Sequence, residues 1–487
     1  MWSRFDRRPF NARGRISSKF LRFVNRLGAR RPPKGWREAF TKWTGYTGSF
    51  TAEDLLKEAD LGVTNAHSLI KSDIDLRRET FSAVLIAVCY ASQEHGDQVF
   101  VYNDESWIDV TKSYFKKPVL KPVNGEFVEL AIVRNDRVAA RFSINLWRQR
   151  GLSLEASAGS SPVKKISKTT LDCTDHFVRT DHAIDPIDVV YTWVDSQDSS
   201  WIETYKAYSG VSNIDRDRFE QTEELRYSIR SVEMFAPWVR RIYIFSNCAA
   251  PSWFQETTRI KWVRHDEVIP HIYLPLFNSH AIETFLQDIP GLADRFLYFN
   301  DDFFLSGFVR PLDFFTAYGQ SISRLEPYGA IQYFQELRDA GEGEEWQCAA
   351  VNGAELLLKQ TRILPTKLHR HAPYSLNKSV LSRLVSSYPE LSHQTRSARF
   401  RQSTDISFVS FLYHHYALFE KNAVETNEDS LTVKPTNYRR FLSKRLYNSL
   451  RFFCINDGGG SSVDAEYRAF KRDFLEKHYP IKSTAER

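Results

Sequence analysis

The chain has 487 residues, a net charge of +6, 42% apolar and 26% charged residues, which is ordinary for a globular protein with room for two or three domains. Five scattered cysteines, odd in number, exclude a disulfide framework and a zinc pattern. The longest nearly unbroken apolar run, Phe81 to Ala91, is far short of the roughly 20 residues a membrane-spanning helix needs.

Residues 1–37 carry twelve Lys and Arg against one acid, Asp6. Ile16, Phe20, Phe23, Val24 and Leu27 follow helical spacing, which predicts a basic amphipathic segment over 1–40. Such a segment suits either peripheral contact with an anionic membrane surface or a solvated basic tail. No nucleic-acid partner is expected, because nothing downstream looks like an RNA module. The N-terminus lacks the uninterrupted apolar core of a signal peptide. The expected location is therefore cytoplasmic, against the inner face of the cell membrane if the basic segment binds it.

Residues 41–150 read as a small α+β module. "TAEDLLKEA" from Thr51 is a helix start, and "QVFVYND" and "FVELAIVRND" are strands closed by turn residues. No acids, His and Ser group catalytically there. Residues 151–183 open with five serines plus Gly and Pro over 151–168, a linker composition.

Over 184–480 the pattern changes to strands alternating with helices. "IDVVYTWV" is a β-branched run stopped by Asp195; "TEELRYSIRSVEMFAPW" places Leu225, Ile229 and Val232 on one helical face. "RRIYIFSN", "RIKWVRH" and "RFLYF" are further strands, with the helix "HAIETFLQDI" among them. The alternation predicts a Rossmann-like α/β domain with a mainly parallel sheet, binding its ligand at the carboxyl ends of the strands.

Asn300-Asp301-Asp302 closes one strand and is followed by Phe303, Phe304 and Leu305. Adjacent carboxylates in apolar surroundings need a positive partner, and hard oxygen ligands suit Mg²⁺ or Mn²⁺. A plain turn is the bland alternative. In "CINDGGG", Asn456 and Asp457 would complete the shell, and Gly458 to Gly460 before a helix offer backbone N–H groups to phosphate or form a surface loop. Asn278, His280 and Glu283 stand at a helix mouth, where an Asn or Ser cap is the competing reading. His369 and His371 come just before Ala-Pro, and a histidine beside such a loop suits a general base or is a plain surface histidine. Arg399 and Arg401 offer a phosphate clamp or a simple pairing with Asp405; His414 and His415 read as core.

Taken together, "IDVVYTWVDSQD", "EELRYSIRSVEMFAPWVRRIYIFSN", "LPLFNSHAIETFLQDIPGLADRFLYFNDDFFLSG", "HRHAPYSLNKSV" and "FCINDGGG" resemble the shared regions of the Stealth family over about 185–480. That family includes bacterial capsular-polysaccharide hexose-1-phosphate transferases and the animal enzyme that puts GlcNAc-1-phosphate on lysosomal glycoproteins. The resemblance implies a nucleotide-sugar domain of the GT-A type. It implies transfer of hexose-1-phosphate, N-acetylhexosamine-1-phosphate foremost, from a UDP-sugar donor to an oligo- or polysaccharide acceptor, with release of UMP, in capsule or exopolysaccharide synthesis. It assigns catalysis to Asp195, His371 and Arg401, with His371 and Asp195 competing as the base. Thr192, Trp193, Arg226, Asn278, His280, Glu283 and Asp405 would bind substrate, and Asp301, Asp302, Asn456 and Asp457 would hold Mg²⁺ or Mn²⁺. One departure is Ser196, where many members have Gly, so the tip of that loop differs. A metal-dependent GT-A glycosyltransferase releasing UDP, or a metal-dependent phosphohydrolase, would show the same acidic strand end.

Overall fold

A computed structural model describes residues 4–6, 74–77, 85, 89, 92, 96–102, 107–111, 121–123, 127–134, 137–151, 153–156, 165–167, 185–210, 223–307, 309–456 and 464–487. The helix expected after Thr51, the amphipathic positions Ile16 to Leu27, Asp457 and Gly458 to Gly460 lie outside these residues. The chain divides into two compact units, Met1–Arg179 with Glu476–Ser483, and Thr180–Leu475 with Thr484–Arg487. Among the described residues no helix is long and apolar enough to cross a membrane.

The first unit holds a seven-stranded, largely antiparallel sheet. Its best-defined strands are Gln98–Tyr102 and Phe127–Arg134, paired antiparallel, with Val99, Val101, Val128, Leu130 and Ile132 buried. The buried Asp97 carboxylate accepts two bonds from Arg134, at 2.7 and 2.8 Å, and fixes one end of this pair. Inside the stretch expected to be a linker, Ser153–Ala156 and Lys165–Ser167 pair antiparallel as strands of the same sheet. The alternating Ser-Leu-Glu-Ala and Lys-Ile-Ser patterns suit strands, although Gly, Ser and Pro surround them.

The second unit is built on strands β1 (Ile187–Thr192), β2 (Ile242–Ser246), β3 (Ile260–Arg264) and β4 (Arg295–Asn300). They are parallel, in the spatial order β3-β2-β1-β4. Chain order then gives β5 (Phe303–Leu305), β6 (Ser321–Gly329), β7 (Lys367–His369) and β8 (Tyr374–Asn377), of which β8 closes the five-stranded sheet antiparallel to β4. Strands β9 (Ala423–Thr426), β10 (Ser430–Val433) and β11 (Phe452–Ile455) complete two three-stranded sheets, β5-β11-β10 and β7-β6-β9. The mainly parallel, Rossmann-like α/β arrangement expected from the alternation is present.

The reason is burial on both faces. From Ile187 to Tyr191 every residue of β1 is buried, as is all of β2. A run with no polar face needs cover on both sides, which helices in a parallel sheet provide. Asp188 is the one carboxylate inside β1. Arg240 pairs with it at 2.5 Å, and the backbone N–H groups of Arg241 and Ala293 donate to it.

Helix α1 (Ser199–Ser209) is capped by Asp198, whose Oδ1 accepts from Ser200 N and Trp201 N. Helix α2 (Glu224–Phe235) packs on β5, where the Ser228 hydroxyl donates to the Phe303 carbonyl. The short helix α3 (Ser279–Glu283) precedes β4, and α4 (Lys378–Ser387) and α5 (Pro389–Ser397) follow β8.

Candidate active site at the carboxyl edge of the sheet

Parallel strands end together, so Thr192, Ser246, Arg264 and Asn300 share one edge. β8 runs the other way, with Tyr374 opposite Tyr298, so the chain just before it, His371 included, arrives at the same edge. β5 and β11 are antiparallel with Phe303 opposite Cys454. The ladder continues outward: Ile455 N donates to the Asp302 carbonyl at 3.0 Å. That rung sets Asp301 and Asp302 against the Ile455-Asn456 turn-off. The Cys454 thiol donates to Asp302 Oδ2 at 3.0 Å, and burial raises the pKa of the Tyr191 phenol, with the Ser228 bond opposing and Asp301 close enough to add to the rise.

Asp301, Asp302 and Asn456, all half-buried, are hard oxygen donors on one rim, a set that suits Mg²⁺ or Mn²⁺ completed by water or phosphate oxygens. Among the described residues no group of three or more His, Cys, Asp or Glu converges on one point, so such a shell draws on the Asn456 amide or on Asp457, which is not described.

His371 is solvent-reachable and lies edge-on to Phe303 at 6.3 Å between ring centroids. Its carbonyl accepts from Ser430 at 3.1 Å. The surrounding protein and then the Lys434 charge lower its pKa, so the ring is neutral at neutral pH and able to accept a proton. Asp195 closes β1. Its Oδ1 accepts from Gln197 N at 2.8 Å, and its backbone N–H meets Cys248 Sγ at 3.3 Å. Burial raises its pKa, the Gln197 bond opposes this, and Asp198 adds to it.

A second set of residues forms a closed cluster. Asn278 is fully buried: its Oδ1 caps α3 by accepting from His280 N, and its Nδ2 donates to Asp405 Oδ2 at 2.8 Å and to the Ala398 carbonyl at 3.1 Å. Asp405, 1% exposed, also accepts from Gln402 N at 2.9 Å and faces His280 Nδ1 at 3.4 Å. Glu283, 5% exposed, accepts from the Ser410 hydroxyl at 3.0 Å and from the Tyr298 hydroxyl at 3.2 Å. The Tyr298 oxygen in turn meets Thr192 Oγ1 at 2.8 Å. Burial raises the Glu283 pKa against the opposing pull of His280, Ser410, Arg401 and Tyr298. Arg401 is aimed by the Ser279 hydroxyl, which accepts from Nη2 at 2.6 Å and Nε at 3.1 Å.

Three residues expected to bind substrate have protein partners in the structure. Arg226, expected on a diphosphate, is held by Glu486 at 2.6 Å and Glu223 at 3.2 Å, so its charge is already met. Asn278 and Asp405 are buried and bonded to each other, and the Asn278 Oδ1 cap on α3 is the competing reading given for that helix mouth. Trp193 is 7% exposed and packs edge-on against Trp262 at 5.3 Å, leaving only its rim for a ligand. His414 is buried and stacks on His369 at 4.0 Å.

Sequence reasoning missed Tyr298, Ser410 and Ser279. Tyr298 alone had a local signal, a hydroxyl inside an otherwise apolar strand that must find a partner.

Models of Stealth proteins match the chain in three places: conserved region 1 at 185–211, conserved region 2 at 218–322 and conserved region 3 at 370–418. A capsular polysaccharide phosphotransferase SacB of Neisseria meningitidis serogroup A is 37% identical over 321 residues, covering 63% of this chain and 58% of that protein. The exopolysaccharide phosphotransferase SCO6023 of Streptomyces coelicolor is 37% identical over 312 residues, covering 62% of this chain and 52% of that protein. The chain thus spans little more than half the length of these relatives. Among solved structures, the galactosyltransferase LgtC is similar at a TM-score of 0.31 and 11% identity, covering 61% of this chain and 97% of that one. The bifunctional glycosyltransferase WbbM is similar at a TM-score of 0.34 and 11% identity, covering 69% and 53%. The chain thus matches three conserved regions of Stealth proteins in order and is similar to capsular and exopolysaccharide phosphotransferases.

Proposed function

We propose that this chain transfers hexose-1-phosphate, with N-acetylhexosamine-1-phosphate as the leading candidate, from a UDP-sugar to a saccharide hydroxyl and releases UMP. The setting is capsule or exopolysaccharide synthesis, and the basic segment 1–37 would hold the enzyme against the inner face of the membrane. The observation that carries this reading is the rim where Asp301, Asp302, Asn456 and His371 stand together: oxygen donors for a cation beside a neutral imidazole. The family relatives support the same class of reaction.

In this reaction the acceptor oxygen attacks the β-phosphorus of the donor. The bond from that phosphorus to the bridging oxygen breaks, and UMP leaves with the oxygen and its electron pair. The acceptor proton passes to His371; Asp195 is the competing base. Arg401, steadied by Ser279, places positive charge against the phosphoryl oxygens. Thr192, Trp193 and His280 shape the donor side, and Glu283 holds Tyr298 and Ser410 in place. Mg²⁺ or Mn²⁺ held by Asp301, Asp302, Asn456 and Asp457 would neutralise diphosphate charge.

Chromatography of the products tests this. Incubation with a UDP-sugar and a saccharide primer should yield UMP, only when both are present. UDP in place of UMP would make the chain a glycosyltransferase, and phosphate-ester cleavage without primer would make it a hydrolase.

A further inference from the structure

His371 is presented by a tight turn. His369, Arg370 and Ala372 are buried, whereas His371 between them is exposed. Ala372 N donates back to the Arg370 carbonyl at 2.8 Å, which closes a γ-turn with His371 at its apex. The Arg370 carbonyl also accepts from His369 Nδ1 at 2.8 Å, and Arg370 N donates to the Arg324 carbonyl of β6 at 2.8 Å. These bonds fix both sides of the apex and leave the His371 carbonyl to another partner.

That partner comes from the connection between β9 and β10, where each residue of Glu428-Asp429-Ser430 grips something different. The Ser430 hydroxyl donates to the His371 carbonyl at 3.1 Å. Asp429 pairs with Arg370 Nη2 at 3.0 Å, and Glu326 of β6 faces the same guanidinium at 3.7 Å. Glu428 accepts from Arg324 Nε at 2.9 Å and pairs with Nε of Arg451, the residue before β11, at 3.0 Å. Arg370 is 8% exposed and Arg324 fully buried. A buried guanidinium left without a carboxylate is costly, so these pairings hold the connection in one place. From Ser430 onward β10 runs parallel to β11, and the Val433 carbonyl accepts from Asn456 N at 2.9 Å. One short stretch thus joins the His371 turn to the strand that bears Asn456.

We propose that Glu428-Asp429-Ser430 is a positioning element for His371, fixing the imidazole relative to the rim of Asp301, Asp302 and Asn456. Its residues act through the His371 turn and not on the reactants. That the ring so held is a general base rests on the proposed function; that this stretch holds the turn does not. The leverage is geometric, since a shift of about 1 Å in a reacting group can cost about 10²-fold in rate.

Two measurements on the full chain test this. The first is labelling by diethyl pyrocarbonate, read by mass spectrometry. Loosening the turn in Ser430→Ala or Asp429→Asn should speed labelling of His371 about threefold or more. Ser430→Thr, which keeps a hydroxyl, should return the rate towards that of the wild type, and the exposed His271 should label at one rate throughout. An unchanged His371 rate in both loosened variants overturns the clamp. The second is a transfer assay. Ser430→Ala should lower kcat about tenfold with KM for the donor within about twofold, and Ser430→Thr should restore kcat. Added to His371→Gln, Ser430→Ala should cost nothing more, because its effect runs through the ring. A wild-type kcat in Ser430→Ala, or the same loss without His371, overturns the positioning role. Faster labelling of His371 in a protein whose wild type transfers no sugar phosphate would sink the proposed function and leave the clamp standing.

Discussion

The acids and amides of this domain form two clusters with opposite characters. Around Asp405, this residue and Asn278 are both buried, the Asn278 side-chain amide is met by protein groups, and Asp405 Oδ2 accepts from Asn278 and from Gln402 N. Around Asp301 and Asp302, the groups are half-buried at a strand edge, next to a solvent-reachable His371. Similar residue types thus sit in different settings: the closed cluster braces the frame, and the open one is, on the proposed function, the one that faces the reaction. A buried carboxylate bonded to the protein is out of a ligand's reach, whereas a half-buried one at a strand edge can be approached from solvent.

The sharpest way to break that contrast is to remove one carboxylate from each side. Asp301→Ala should lower turnover by about 10³-fold or more, roughly 4 kcal/mol of transition-state stabilisation, while the unfolding midpoint stays put. Steady-state kinetics with a thermal melt would show it, and retained activity would refute the role of the open cluster. Asp405→Ala should do the reverse. It strands the buried Asn278 amide and Gln402 N–H, so we expect a loss of about 2–4 kcal/mol in denaturant titrations, with kcat of the folded fraction largely kept.

The two neighbouring histidines extend the comparison. His371→Gln should reduce kcat about 10²-fold and flatten the acid limb of the pH profile. In the wild type that limb should lie below the ordinary histidine pKa of 6.5, because the surrounding protein and then Lys434 both lower it. His369 is instead enclosed, with Nδ1 donating to the Arg370 carbonyl at 2.8 Å and Nε2 accepting from Arg324 N at 3.0 Å. Burial pushes His369 and the equally enclosed His265 from 6.5 to about 3. Between those values the unfolded chain binds protons that the folded chain refuses. Stability is therefore complete above the unfolded value and drains away as pH falls towards the folded one, at up to about 1.4 kcal/mol per pH unit for each ring. Melts at successive pH values would check the slope; a flat profile would mean that these rings are not buried neutral.

The smallest effect is expected at Arg226. Its guanidinium is spent on Glu486 and Glu223, so Arg226→Gln should leave KM for the UDP-sugar within about threefold and cost about 1 kcal/mol of stability. A large rise in KM would return Arg226 to the diphosphate.

These cases also mark how far the sequence could be read. The parallel sheet was legible because β1, β2 and β4 are continuous apolar runs, each closed by a polar residue that marks the ligand edge. The acidic pair stood out for a related reason: Asp301 and Asp302 interrupt an aromatic stretch, which singles them out as candidates. The role of Asn278 was not, because its partner Asp405 lies 127 residues away and no local pattern encodes that meeting. The pairing of Arg226 was hidden on the same ground, with Glu486 260 residues off. The strands within 151–168 were hidden by flanking Gly, Ser and Pro, which are equally at home in linkers and in turns between short strands.

The most direct test follows one atom. With a UDP-sugar carrying a phosphorus label in the β position and a saccharide primer, the account predicts that the label moves into the saccharide and unlabelled UMP is released. A label that stays in UDP while the sugar alone is transferred would contradict it.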